Sequence, residues 1–182
     1  MIYLFLANGF EEIEALTPAD LLRRVGKEVI TVGIGSKEIV GAHGITVTAD
    51  LCDSDLSASS FDSLEMIVLP GGMPGAANLA ASSLVNEAIA AANKNSLPIA
   101  AICAAPAVVL GCYDFVCGKR VTCYPGFESQ LSTAVVTGSA VEEDGNLITA
   151  KGPGAAMAFA LTLVRRLCGV ETAQKLKGSL QC

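Results

Sequence analysis

The sequence predicts an α/β fold in which a mostly parallel β-sheet is covered by helices on both faces. Short, continuously apolar segments alternate with helix-like segments, and glycine or proline marks most of the joints between them. Strands that are apolar throughout are typical of a parallel sheet that is buried on both sides. A chain of 182 residues is also long enough to bury a sizeable core. We therefore expect residues 1–182 to form a single domain.

Strands are predicted where short apolar or β-branched runs are bounded by turn-forming residues. In chain order these runs are residues 2–7, 28–33, 39–40, 45–51, 66–69, 99–103, 120–123, 134–137 and 147–150. The third and fourth runs flank a glycine-containing turn and are predicted to form a hairpin. The serine-rich residues 54–60 are predicted to be a surface loop.

Helices are predicted where apolar residues recur at helical spacing. Ala15, Ala19 and Leu22 define one face of the first helix, which Gly26 ends. Pro18 indicates that this helix either starts at Thr17 or is kinked there. The later helices are predicted at residues 84–95, 104–110, 154–168 and 170–177. The helix at residues 154–168 is apolar nearly all round, which is typical of a helix that is buried or that contacts a partner subunit.

Composition excludes several classes of function. The chain has 12 basic and 18 acidic residues, so its net charge of -6 argues against a nucleic-acid partner. The longest apolar stretch, residues 152–164, is shorter than the roughly 20 residues that span a bilayer. Residues 2–7 lack the basic start and cleavage site of a signal peptide. We therefore expect a cytoplasmic protein without a membrane partner.

The seven cysteines form no C-x-x-C pair, which argues against a zinc ribbon or a thioredoxin-like redox motif. There is one histidine and no spaced pair of acids, so we expect no metal site and no cofactor. Most of the cysteines are expected to act as small, buried apolar residues in a reducing compartment.

Three joints between predicted strands and helices carry the residues that could perform chemistry. They are residues 8–14, 70–75 and 103–106, and each follows the carboxyl end of a strand. In an open parallel sheet ligands bind beyond the carboxyl ends of the strands. We therefore expect the three joints to meet at one edge of the sheet.

Cys103 lies where an apolar strand runs directly into a helix, with Ala101, Ala104 and Ala105 around it. This layout is typical of a nucleophile elbow, a tight turn that needs small neighbours. The start of the following helix would favour a thiolate. The alternative interpretation is a buried structural cysteine.

Glu14 is the last residue of the first of these joints. If its side chain points inward, it reaches the sheet edge where Cys103 is expected. A carboxyl buried there would stay protonated and donate a hydrogen bond to the thiolate, and the pair would titrate as a unit. Glu11 and Glu12 are explained by the dipole of the helix. The loop at residues 70–75 could form a nest of backbone N–H groups, or could simply be a tight turn.

His43 is the only residue that could complete a Cys–His pair, but it lies in the predicted hairpin. We favour a role in the turn or at an interface over a catalytic role.

Four motifs together resemble the ThiJ/PfpI superfamily, in particular the branch of the parkinsonism-associated deglycase. They are residues 8–14 (NGFEEIE), 68–72 (VLPGG), 100–106 (AAICAAP) and 151–154 (KGPG), and the resemblance extends from residue 2 to about residue 177. It implies a flavodoxin-like three-layer sandwich, related to class I glutamine amidotransferases, and usually a homodimer.

The resemblance also implies roles for individual residues. Cys103 would be the reactive nucleophile and Glu14 its protonated hydrogen-bond partner. The backbone N–H groups of Gly72 and Ala104, next to Gly71, would form an anion pocket. Members of the superfamily are described as glutathione-independent glyoxalases and deglycases that act on small reactive aldehydes. Many carry names from thiazole monophosphate biosynthesis.

The sequence departs from the superfamily pattern at Tyr124, where many relatives have a histidine. A Cys–His peptidase mechanism would lose its base at this position, so we expect carbonyl chemistry and not peptidase activity. His43 lies where relatives often have an arginine near the pocket and the dimer interface. Two alternatives stay open, namely an oxidative-stress sensor or chaperone in which Cys103 oxidises to a sulfinic acid, and a binding module without chemistry.

Overall fold

A seven-stranded sheet forms the centre of the protein in the computed structural model, which describes residues 1–182. The strands of the whole chain are β1 (Ile2–Leu6), β2 (Val29–Gly33), β3 (Glu38–Val40), β4 (Thr46–Thr48), β5 (Leu51–Cys52), β6 (Met66–Leu69), β7 (Ile99–Ile102), β8 (Arg120–Val121), β9 (Val135–Val136), β10 (Val141–Asp144) and β11 (Leu147–Ala150). The sheet order is β10-β11-β7-β6-β1-β2-β5, and only β10 is antiparallel to its neighbour. The predicted, mostly parallel sheet and its flavodoxin-like order are confirmed.

Six helices cover this sheet in two layers. They are α1 (Glu12–Arg24), α2 (Gly75–Ala81), α3 (Ser83–Lys94), α4 (Ala105–Val108), α5 (Ala156–Cys168) and α6 (Val170–Ser179). α5 packs against α1 and α6, whereas α2 packs against α3 and α4. β1, β6, β7 and β11 are buried throughout, because both faces of these strands are covered.

The first helix begins before Pro18, so the alternative in which it starts at Thr17 is wrong. α1 starts at Glu12, after Glu11 caps it by accepting a 2.7 Å hydrogen bond from the N–H of Glu14, and it continues through Pro18. A proline inside a helix removes one backbone hydrogen bond. The apolar face of α1, which includes Ala15 and Leu22, is buried in the core and outweighs that loss. Glu14 therefore lies within the first turn of α1, and not in the preceding joint.

Several peripheral elements also differ from the prediction. The hairpin forms from β3 and β4, but the end of its predicted second arm separates as β5 and pairs with β2. The runs predicted at residues 120–123 and 134–137 form a separate parallel pair, β8 and β9, outside the main sheet. β10 was not predicted because residues 142–144 are acidic; it is held by β11 and by ion pairs such as Arg120–Glu142.

The predicted helix after Cys103 is shorter than expected. α4 has a single turn, and the chain then continues in irregular turns. The long helix α5 is buried on one face only. Phe159 and Leu163 are buried, whereas Met157 and Arg165 are exposed. None of the helices is both long and apolar enough to cross a membrane.

The three joints of interest meet at the carboxyl edge of the sheet, as predicted. β1, β6 and β7 are neighbours, and each leads into one of these joints. β1 and β6 are also the neighbours at which the direction of the strand order reverses. Crevices at such switch points are the usual ligand sites of this architecture.

Candidate active site

Cys103 occupies a strained turn between β7 and α4. Its φ is 65°, in the left-handed region that costs a residue with a Cβ about 1–2 kcal/mol. Its N–H donates to the carbonyl oxygen of Ala150 at 2.8 Å, and its own carbonyl oxygen accepts a hydrogen bond from the N–H of Tyr124 at 2.8 Å. These bonds to two neighbouring segments hold the turn in place. The geometry matches the predicted elbow.

Glu14 reaches the same position from the first turn of α1. Its side chain is completely buried. Oε2 accepts a hydrogen bond from the N–H of Gly71 at 3.0 Å, and the carboxyl lies close enough to the thiol of Cys103 for each group to shift the pKa of the other. Oε1 has no hydrogen-bond partner. A buried acceptor without a donor is costly, which favours a proton on this carboxyl.

Burial is the main reason that the pKa of Glu14 is raised, to about 7. The neighbouring thiol of Cys103 lowers the pKa of Glu14 in part, and the charge of Glu11 raises it further. The carboxyl therefore keeps its proton at pH values where an exposed glutamate has lost it.

Burial and the neighbouring Glu14 carboxylate together raise the pKa of Cys103 to about 12. The N–H groups of Gly72 and Ala104 act on the sulfur in the opposite direction. This raised pKa applies when Glu14 is already ionised, so it describes the loss of the second of the two protons that the pair can lose. Cys103 and Glu14 thus titrate as one unit, which holds a single negative charge over a wide pH range.

The glycines of the loop after β6 leave the space that this pair occupies. A Cβ at Gly71 would lie 2.6 Å from the Cβ of Cys103 and 2.7 Å from Oε2 of Glu14. Gly72 has a φ of 85°, and a Cβ there would collide with the carbonyl oxygen of Gly9. The loop can approach the two side chains only because both positions lack a side chain.

Gly71→Ala is expected to separate Cys103 from Glu14 and to lower the free energy of unfolding by about 1–3 kcal/mol, the usual cost of overpacking. Urea denaturation and the rate of Cys103 alkylation at neutral pH measure the two effects. Gly178→Ala is the matched control, since a Cβ at Gly178 meets nothing within 4 Å. Equal stability and equal Cys103 reactivity in both variants would contradict the described packing.

Residues 1–166 of the chain match the DJ-1/PfpI family. The chain belongs to this family. The glutathione-independent glyoxalase DJR-1.2 of Caenorhabditis elegans is 32% identical over 169 residues, which cover 91% of this chain and 87% of that protein. Protein DJ-1 homolog B of Arabidopsis thaliana is 38% identical over 177 residues, which cover 96% of this chain and 40% of the plant protein. The chain therefore spans less than half the length of that relative.

The fold of the DJ-1/PfpI family also appears in the solved structures. The crystal structure of a DJ-1 superfamily protein from Salmonella typhimurium superposes with a TM-score of 0.91 at 35% identity. The match covers 99% of this chain and 97% of the Salmonella chain. The family and the flavodoxin-like fold expected from the four motifs are therefore confirmed.

His43 does not join Cys103 in this family member. Its backbone N–H donates to Oε1 of Glu12, and its Nδ1 lies 2.8 Å from Oε2 of Glu12. The hydrogen bond and the charge of Glu12 raise the pKa of His43. Glu11, Glu12 and His43 are the one group whose side-chain atoms lie close enough to share a metal ion. Glu11 is occupied as the cap of α1 and Glu12 by His43, so the cluster is explained by its internal hydrogen bonds.

Tyr124 contacts Cys103 through its backbone N–H, whereas its ring lies against Gly152. Cδ2 of the ring would lie 3.1 Å from a Cβ at Gly152, so the ring packs on the glycine that follows β11. Tyr124 and Lys151 line a cavity of about 420 Å³. Lys151 is a lining residue that was not predicted from the sequence to have a role. Its signal is its position directly after a buried strand, at the same sheet edge as Cys103.

Proposed function

We propose that this DJ-1/PfpI protein converts small α-oxoaldehydes such as methylglyoxal into 2-hydroxy acids without glutathione. The observation that carries the proposal is the contact between Cys103, on its strained turn, and the fully buried carboxyl of Glu14. The Caenorhabditis elegans relative, whose name states this activity, supports the choice of substrate class.

In the reactive form the negative charge of the pair lies on sulfur and the proton on Glu14. Two backbone N–H groups, from Gly72 and Ala104, act on the sulfur, whereas the Glu14 carboxyl accepts only one, from Gly71, and its Oε1 has no partner. Cys103 also keeps 8% of its surface exposed, while Glu14 keeps none. Both differences favour the thiolate over the carboxylate.

The first chemical step is addition of the thiolate to the aldehyde carbon. A carbon–sulfur bond forms, and the carbonyl electron pair moves to oxygen. The N–H groups of Gly72 and Ala104 would stabilise this oxyanion, and one such donor contributes about 3 kcal/mol in other enzymes. Glu14 gives its proton to the oxygen, which yields a neutral hemithioacetal and a carboxylate.

The second step moves hydrogen between the two carbons of the substrate. The Glu14 carboxylate removes the proton from the carbon that carries sulfur and returns it to the neighbouring carbon. The product of this isomerisation is a thioester of the 2-hydroxy acid. Water then cleaves the thioester, so methylglyoxal and one water give lactate and restore Cys103. No redox cofactor takes part, because oxidation at one carbon balances reduction at the other.

Peptidase chemistry has no base in this site. His43 is bound to Glu12, and Tyr124 stands where a catalytic histidine would be required. The alternative function, an oxidative-stress sensor or chaperone, needs only an accessible thiolate. It is favoured by the slight exposure of Cys103 next to a carboxyl that can donate a hydrogen bond to an oxidised sulfur.

A homodimer is the assembly that we propose for this chain. Ile13 and Leu16 on α1 and Met157 on α5 are exposed apolar residues on two helices that pack against each other. Such a group is typical of a protein interface. Sedimentation equilibrium tests this point, and a monomer at micromolar concentration would contradict it.

The function is tested by incubating the protein with methylglyoxal in the absence of glutathione and identifying the product by NMR. Formation of lactate at many equivalents per protein is the expected result. Absence of lactate, together with conversion of Cys103 alone to a sulfinic acid by hydrogen peroxide, would reject the enzyme in favour of the sensor.

A further inference from the structure

The cavity beside Cys103 contains one charged side chain without a counterion. Its eight lining residues include Lys151 and no acidic residue. None of the nine ion pairs of the protein involves Lys151, although the chain carries a net charge of -6. An unpaired ammonium in a concave site that has no acid of its own is suited to an anion.

The cavity is connected to the reactive cysteine by the backbone. Lys151 directly follows Ala150, whose carbonyl oxygen accepts the hydrogen bond of the Cys103 N–H. On the other side, Tyr124 donates its N–H to the carbonyl oxygen of Cys103. Both residues line the cavity, so it lies beside the proposed site of carbonyl addition. A substrate held at Cys103 could extend its far end into it.

The other residues that line the cavity also favour an anionic ligand. The turn Pro153–Ala155, which leads directly into the 13-residue helix α5, forms part of the wall. The positive end of a helix dipole favours a negative charge at this position. Tyr124, Pro125 and Pro153 supply apolar surface. The cavity therefore combines a positive potential with a wall for a short carbon chain.

We propose that this cavity is a subsite for a carboxylate carried by the substrate, so that the preferred substrates are α-oxoaldehydes with an anionic tail. The inference rests on the proposed function and deepens it. Lys151 is the specificity-determining residue, since its ammonium binds the carboxylate while Cys103 reacts with the aldehyde. The carboxylate itself is unchanged by the reaction. A compound of this class is 4,5-dioxopentanoate, whereas methylglyoxal has only a methyl group in place of the tail.

The subsite can be tested without turnover, by comparing alkylation of Cys103 by iodoacetate and by iodoacetamide. Both reagents replace iodide by the thiolate, and only iodoacetate is an anion. Peptide mass spectrometry follows Cys103 in the wild type, in Lys151→Met, and in the control Lys94→Met, which removes an exposed lysine at the end of α3. The ratio of the two rates is expected to fall about fivefold in Lys151→Met and to stay constant in Lys94→Met. The wild-type ratio should also fall as salt is added.

Turnover supplies the second readout. The ratio of kcat/KM for 4,5-dioxopentanoate to that for methylglyoxal is expected to fall about fivefold in Lys151→Met, through KM. Unchanged ratios in both assays, with methylglyoxal still converted, would overturn the subsite and leave the proposed function standing. A lowered alkylation ratio without turnover of either aldehyde would support the subsite and reject the proposed function.

Discussion

Replacing Cys103 by serine is expected to lower kcat/KM for methylglyoxal at least about a thousandfold, because the nucleophile of the first step is lost. A serine hydroxyl does not ionise near neutral pH, and the single histidine, His43, is bound to Glu12. Serine is nearly the size of cysteine, so the strained turn and its two backbone hydrogen bonds should survive. The assay is the rate of lactate formation under identical conditions.

Cys123 provides the matched control for this variant. It is also buried, and burial, with a smaller effect of Glu128, raises its pKa to about 11. Cys123 is therefore a thiol at neutral pH, and Cys123→Ala is expected to keep most of the activity. A Cys103→Ser protein that converts methylglyoxal at the wild-type rate would show that the chemistry takes place elsewhere.

Glu14→Gln is expected to lower kcat about a hundredfold to ten-thousandfold, the range for loss of a general acid–base. Glutamine retains an oxygen to accept the hydrogen bond of the Gly71 N–H, but it cannot take a proton from the substrate carbon. Addition to the aldehyde precedes the transfer between carbons, and water can supply the proton that the oxyanion otherwise takes from Glu14, so the hemithioacetal should accumulate in this variant. Single-turnover kinetics with mass spectrometry would detect it as an adduct on Cys103.

Glu11→Gln is the control for the charge of this region. Glu11 is buried at the start of the same helix, but its carboxyl caps α1 and does not contact Cys103. Glutamine can still accept that capping hydrogen bond, so only a small loss of activity is expected. Equal losses in Glu11→Gln and Glu14→Gln would indicate that the acids act through the stability of α1 and not through proton transfer.

The core of the site could be predicted because its signals are local. A buried strand that runs into small residues identified the turn at Cys103, and the parallel sheet placed Glu14 and Gly71 at the same edge. The sequence left the start of α1 undecided, and the alternative of a start at Thr17 is wrong, because Pro18 is a strong local signal for a helix boundary. Packing of the whole helix in the core outweighs that signal, and no local pattern reports such packing.

The features that the sequence did not show depend on contacts between distant segments. The acidic strand β10 is stable because Arg120, Lys119 and Arg165 pair with its three acids. The cavity beside Cys103 combines Tyr124 with Lys151, which are separated along the chain and meet only in the folded protein. Because α4 has a single turn, it adds little helix dipole next to Cys103. The backbone N–H groups of Gly72 and Ala104, and not the helix, lower the pKa of the thiol.

The most direct test of this account is the pH dependence of Cys103 alkylation by iodoacetamide, followed by peptide mass spectrometry in the wild type and in Glu14→Gln. If protonated Glu14 stabilises the thiolate, Cys103 should react with an apparent pKa below the free-thiol value of about 8.5. That pKa should move toward the ordinary value in Glu14→Gln. A Cys103 that reacts like an ordinary thiol, with the same profile in both proteins, would contradict the proposed pair and the chemistry built on it.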